Sequence, residues 1–265
     1  VIDVFPRFGH VSFFIFIYVL ISFQGSDGKV TTQNKVKPKA LMAWSSGKDS
    51  AYALHRARLD DQVEITGLLT TVTDTYNRVS MHGVREEILD LQAKRVGLPL
   101  TKVRIPAPCP NDIYERAMAD ALALHRENGV TGVIFGDLFL EDLRQWRETR
   151  LLAVGMGAIF PLWTSNTPDL AREMIASGME ATIACLDPRV MPLEFAGATF
   201  DHALLAALPQ GVDPCGENGE FHTFVYDAPM FDTPIPIELG QKHHAGQFVF
   251  IDVCSACSVV SSQDL

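Results

Sequence analysis

The chain predicts an α/β fold: a parallel sheet wrapped by helices on both faces, followed by a smaller α+β domain. From Lys39 to Trp163, short apolar runs rich in β-branched residues alternate with helical periods across short connections. That rhythm is the signature of strand–helix–strand crossovers. The apolar runs are near-continuous rather than alternating, as strands covered on both faces must be. Beyond Ser165 the texture changes to short strands separated by Gly- and Pro-rich turns.

Five strands are expected, at Ala40–Trp44, Val63–Val72, Leu100–Ile105, Val130–Phe135 and Ala158–Trp163. Between them lie helical stripes. Ala51, Leu54 and Arg58 mark the first, with Ala53 and Ala57 beside them; Val84, Ile88 and Leu91 mark the second; Ile113, Ala117, Ala121 and Leu124 mark the third. Gly97 and Gly129 stand where helices should end. Thr167-Pro168-Asp169 reads as a helix start, with Thr167 as N-cap, and Gly178 closes that helix. A domain boundary is expected near Ser165. Residues 36–165 then form the first domain, and 166–253 a second one packed at the carboxyl edge of the sheet, ending in the strand Phe248–Val253.

The ends read differently. Val11 to Phe23 is a 13-residue uncharged apolar run, short of the roughly 20 residues a membrane helix needs. Residues 1–35 read as an extension foreign to the organised chain, with a genuine anchor or signal segment as the other reading. Residues 254–265 read as a disordered tail; Cys254 and Cys257 are half of a zinc pattern with no second pair. The five cysteines are scattered and odd in number, which fits a reducing, cytoplasmic setting. A net charge of −10 argues against a protein that coats DNA or anionic membrane.

The first expected strand runs straight into Ser45-Ser46-Gly47-Lys48-Asp49-Ser50 and then a helix. This is not the GxxxxGK(S/T) loop, because the position five residues before Gly47 is Met42. It matches instead the SxGxDS pyrophosphate-binding loop of the N-type ATP pyrophosphatases, which split ATP between the α and β phosphates. Ser45, Ser46 and Gly47 allow close backbone approach, Lys48 is placed to neutralise pyrophosphate, and Asp49 to hold Mg²⁺. Ser50 is placed to cap the helix and donate to a phosphate. A plain surface turn is the bland alternative.

Two further stretches carry chemistry. In Phe135-Gly136-Asp137-Leu138 and the following Glu141–Glu148, Gly136 permits a ligand or another backbone to approach, and Asp137 suits Mg²⁺ or a substrate amine. Arg144 and Arg147, three apart on one helix, suit a phosphate or carboxylate clamp; alternatively they belong to a solvated, salt-bridged helix start. In Cys215-Gly216-Glu217-Asn218-Gly219-Glu220-Phe221-His222-Thr223, a tight turn enters an alternating strand. Glu220 and His222 fall on one face and Phe221 and Thr223 on the other. A Glu/His pair there suits amine deprotonation, metal or substrate binding; a hairpin with a polar face is the alternative. Cys215 reads as an inert thiol.

Together with Val79–Arg85 (VSMHGVR) and the Gly216–Phe231 block (GENGEFHTFVYDAPMF), these stretches resemble the diphthine–ammonia ligase-like N-type ATP pyrophosphatases, over about residues 36–240. The resemblance implies a Rossmann-like (HUP-type) five-stranded core with a family-specific C-terminal domain. It also implies ATP as cosubstrate, Mg²⁺, ammonium, and a carboxylate acceptor, which in the family is diphthine on elongation factor 2. It makes Ser45, Ser46, Gly47, Lys48, Asp49 and Ser50 nucleotide contacts, with Met81 and His82 as adenine or ribose neighbours. Gly136 and Asp137 would face the nucleotide and reacting carboxylate, Arg144 and Arg147 a phosphate, and Glu217, Glu220 and His222 the substrate. Ser46 departs from the glycine of many members; it is compatible if its backbone is unstrained.

The implied reaction is adenylation of the acceptor carboxylate, releasing pyrophosphate, then ammonia attack with Glu220 or His222 as base. Lys48→Ala is expected to abolish pyrophosphate release with the fold intact. The competing readings are the same activation on another small-molecule carboxylate or a tRNA base, and a non-catalytic ATP sensor of universal-stress type. A homodimer is one assembly the reading admits.

Overall fold

β1 (Lys39–Ala43) is an apolar segment with its middle residues buried, and it forms the centre of the first sheet. The computed structural model describes residues 36–74, 78–79 and 83–256. The N-terminal apolar run, Met81, His82 and Cys257 lie outside the described residues. After β1 come α1 (Lys48–Asp60), β2 (Glu64–Thr73), β3 (Arg78–Val79), α2 (Glu86–Val96), β4 (Leu100–Ile105), α3 (Asn111–Glu127), β5 (Val130–Ile134), α4 (Glu141–Ala153) and β6 (Gly157–Ile159). Five strands run parallel in the order β4-β2-β1-β5-β6, and short β3 pairs antiparallel with the end of β2. The chain moves outward from β1 to β2 and later returns to its other side as β5, which creates a switch point at the carboxyl end of β1.

The remainder is α5 (Thr167–Ala176), β7 (Glu180–Leu186), a 3₁₀ turn, α6 (His202–Ala207), β8 (Phe221–Asp227), β9 (Ile237–Ala245) and β10 (Phe248–Ser255). Its four strands make an antiparallel sheet in the order β8-β7-β10-β9. One buried cluster runs from β1, α1 and α2 through to Ile183, Phe221, Phe224 and Val249 of this second sheet. A second cluster, with Val103, Val133 and Leu151, lies under α3 and α4. α2 ties the two sheets by polar contacts as well. Arg85 pairs with Asp252 of β10, and the backbone N–H of Asp232 donates to the Arg95 carbonyl at 3.0 Å.

Several expectations need correction. β6 stops at Ile159 rather than Trp163; Pro161 lacks the N–H a ladder needs, and the chain turns there. The buried side of α3 is not centred on Ile113 and Leu124, which are 39% and 60% exposed. It is centred on Tyr114, Met118 and Leu122, one residue round the helix. The cap of α5 is Asn166, whose side chain accepts from Asp169 N–H at 3.1 Å, not Thr167. The last strand continues two residues past Val253, through Cys254 to Ser255. β3 has no precedent in the sequence reading.

Candidate functional site

The loop between β1 and α1 is held from within and from the second sheet. Ser50 does not cap α1: the N-cap is Gly47, and Ser50 Oγ donates to the Gly47 carbonyl at 2.9 Å. Ser45 Oγ and Ser50 Oγ lie 3.1 Å apart, and Gly47 N–H reaches Ser45 Oγ at 3.4 Å. Ser46 has φ +71°, the left-handed region. The expectation of an unstrained serine therefore does not hold; the conformation costs a non-glycine residue about 1–2 kcal/mol. Its Oγ is buried with no hydrogen-bond partner. From the second sheet, Val225 N–H donates to the Ser46 carbonyl at 3.0 Å, and Thr223 Oγ1 accepts from Lys48 N–H at 3.0 Å.

Lys48 turns inward. Its side chain is 1% exposed, and Nζ sits 3.0 and 2.9 Å from the Asp49 carboxylate oxygens and donates to the Cys215 carbonyl. The rings of Phe200 and Phe221 flank it at 5.6 and 5.3 Å. Burial alone would lower its pKa, but Asp49, Cys215 and Glu217 outweigh that and raise it, so the ammonium form is held. In this arrangement Lys48 locks the loop to the Cys215 turn, contacts that the sequence did not announce and that Lys48→Ala would remove. Cys215 is inert, with burial pushing its thiol up to about 12.

At the exit of β5, Gly136 packs closely against the start of α1. A Cβ there would lie 2.6 Å from the Asp49 carbonyl carbon and 2.9 Å from Ser50 N. Asp137 meets Arg147, accepting from Nη2 at 3.1 Å and lying 2.7 Å from Nε out of hydrogen-bond alignment. Arg147 also stacks 4.3 Å over Phe135. Arg144 donates to Glu148 at 2.8 Å and lies 4.7 Å over Trp163. Both arginines thus have partners on their own helix or strand exit, the salt-bridged alternative of the sequence reading.

The 213–220 turn is organised by two carboxylates. Asp213 accepts from Cys215 N–H at 3.1 Å and Glu217 N–H at 3.0 Å. Glu220 is buried and accepts from Asp213 N–H, Asn218 N–H and Asn218 Nδ2 at 3.0–3.1 Å. Glu220 thereby holds the turn together, with its oxygens engaged by Asp213 and Asn218. His222 is half-buried, and the pleat points it away from the face on which Phe221 and Thr223 meet Lys48. Glu217 reaches the exit of β5, where its Oε1 accepts from Leu138 N–H at 2.8 Å. Burial, reinforced by Asp49 and Asp137, raises its pKa to about 7 against the opposing pull of Leu138 N–H and Lys48.

A cavity of about 130 Å³ opens at the carboxyl ends of β1, β2 and β5, bounded by Ser45, Thr70, Thr71, Tyr114, Met118 and Phe135. It occupies the switch point, where open α/β sheets bind ligands. The sequence reading missed Thr70, Thr71, Tyr114 and Met118. A pair of adjacent threonines after Leu68-Leu69 in β2 was the available signal. Among the described residues, no group of three or more His, Cys, Asp or Glu is arranged to hold a metal ion. No helix among them is long and apolar enough to cross a membrane.

Comparison with known proteins agrees with this architecture. The family model for the diphthamide synthase N-terminal domain matches residues 38–157, and that for the diphthamide synthase C-terminal domain matches 166–259. A diphthine–ammonia ligase of Rattus norvegicus is 29% identical over 77% of this chain and 85% of its own length. The Homo sapiens protein of that name is 25% identical over the same shares. That of Schizosaccharomyces pombe is 24% identical over 83% of this chain and 39% of its own length. Matched in order along both of its sheets, the chain belongs to the diphthamide synthase family.

Proposed function

We propose that this chain is an ATP-dependent, amide-forming ligase that adenylates an acceptor carboxylate and passes ammonia to it, the acceptor being diphthine on elongation factor 2 in the cytoplasm. The observation that carries the reading is the meeting of two elements at one sheet edge. The cavity bordered by Ser45 opens at the switch point, and Glu217 brings a carboxylate with a pKa of about 7 from the second domain to the neighbouring exit of β5.

The acceptor carboxylate, already ionised, attacks the α phosphorus; the bond to the bridging oxygen breaks and pyrophosphate leaves. The positive end of the α1 dipole suits the charge that leaves. Magnesium, when bound, would neutralise the triphosphate. An ion of this kind is usually held by one or two carboxylates together with phosphate oxygens. Asp49 fits that part, with a side chain that is 29% exposed at the helix start despite its bond to Lys48. Ammonia then attacks the acyl carbon, AMP leaves with the C–O electron pair, and Glu217 takes the excess proton. Its raised pKa suits a base working near neutrality.

ATP–pyrophosphate exchange measured with diphthine-bearing elongation factor 2 tests the reading. Exchange that requires the diphthine carboxylate, followed by amide formation when ammonium is added, is the expected result. Exchange supported equally by elongation factor 2 lacking diphthine would overturn the acceptor. No exchange with any carboxylate would overturn the ligase.

A further inference from the structure

We infer that Gln92 of α2 is a positioning residue for the nucleotide loop, through which the second sheet sets the direction of the loop's amides. The inference rests on the ligase reading above. Gln92 is fully buried on the apolar side of α2, among Ile88, Leu89, Ala93 and Val96. Its amide is nonetheless spent on three partners in two segments. Oε1 accepts from Trp44 Nε1 at 3.0 Å at the end of β1; Nε2 donates to the Ser46 carbonyl at 3.0 Å and to the Val225 carbonyl of β8 at 2.6 Å.

The Ser46 carbonyl therefore receives two donors, Gln92 Nε2 and Val225 N–H. In a planar trans peptide the carbonyl of one residue and the N–H of the next point in opposite directions. Pinning the Ser46 carbonyl towards β8 consequently aims the Gly47 N–H away from it, on the side where Ser45 Oγ sits. Ser46 would not hold its left-handed backbone without neighbours that over-determine it. Gln92 touches no ligand. It acts by fixing one peptide plane.

The test uses the full chain with Gln92→Met, which keeps the volume and removes the amide, and Gln92→Glu. Buried between two carbonyl oxygens, the new carboxyl would be favoured in its protonated form, which restores one donor. ATP affinity by calorimetry, and KM and kcat in the exchange assay, are read from pH 6 to 8. For Gln92→Met the expected result is a weakening of ATP binding and a rise in KM on the order of tenfold or more, with kcat changed less. For Gln92→Glu, the expected result is ATP affinity that improves towards pH 6 relative to the unaltered chain. Unchanged ATP affinity and pH profile in both variants would overturn the inference. Failure of both to fold would also overturn it, by reducing Gln92 to a folding residue. Absence of ATP binding by the unaltered chain would instead overturn the ligase reading.

Discussion

Glu217 accepts a hydrogen bond from the backbone N–H of Leu138 at 2.8 Å, so a carboxylate from the second domain is seated on the exit of the first domain's β5. That single bond fixes where a base stands relative to the strand ends, and several outcomes depend on it.

As the proposed base, Glu217 must be ionised, so amide formation should rise as pH passes through about 7. Glu217→Gln should remove that limb and cost roughly 10²–10⁴-fold in rate. Steady-state amide formation against pH checks it; an unaltered limb in the variant would exclude Glu217.

The same shift has a stability consequence of definite sign. The folded-state pKa lies above the ordinary 4.5. Its stabilising contribution is thus full below about 4.5 and lost as pH climbs through about 7. A shift of this size corresponds to about 3 kcal/mol. In urea titrations at pH 8, Glu217→Gln should be more stable than the parent by up to that amount, and the difference should vanish near pH 4.

Lys48→Met should destabilise strongly, by roughly 3–5 kcal/mol, because it leaves Asp49 and the Cys215 carbonyl without their cation in a water-poor site. Denaturant melts decide this. A variant as stable as the parent would return Lys48 to the role of a mobile phosphate ligand.

Ser46→Gly should stabilise by roughly 1 kcal/mol. It relieves the φ of +71° and discards a hydroxyl that makes no hydrogen bond, partly offset by glycine's greater chain entropy. A higher melting temperature with ATP affinity intact is the expected readout.

Gly136→Ala should do the reverse. Its Cβ would press on the Asp49 and Ser50 backbone at 2.6–2.9 Å, which displaces the start of α1 and costs about 1–3 kcal/mol. ATP affinity should fall with stability, both measured on the same preparation.

Much of the first domain was legible because its signals are local. β1 and β5 are mostly apolar runs, β2 and β4 are strands rich in β-branched residues, and Gly97 stops α2 with φ +72° as a glycine at that position should. The Ser45–Ser50 turn between β1 and α1 was legible for the same reason. What the sequence concealed is direction. Nothing in the order Gly47-Lys48-Asp49 says that the ammonium folds back under Phe200, a partner more than a hundred positions away. Glu217 and Glu220 look alike in sequence; only the turn between them decides that Glu220 accepts from within the turn while Glu217 reaches across to Leu138 at the exit of β5. Gln92 did leave a trace, a polar residue on the buried stripe four positions after Ile88, but its three partners come from distant segments.

The clamp of β8 on the nucleotide loop also bears on biosynthesis. Lys48 N–H and its Thr223 acceptor are 175 residues apart, and Gln92 and Val225 are 133 apart. Non-local pairings of this span form only after the intervening chain has been closed into a loop. On the ribosome, β1, α1 and Gln92 emerge early, yet the contacts of Val225 with Ser46 and of Thr223 with Lys48 wait until β8 has left the exit tunnel. The nascent chain thus carries this loop half-clamped through most of its synthesis, and completes it as one of the last acts of folding.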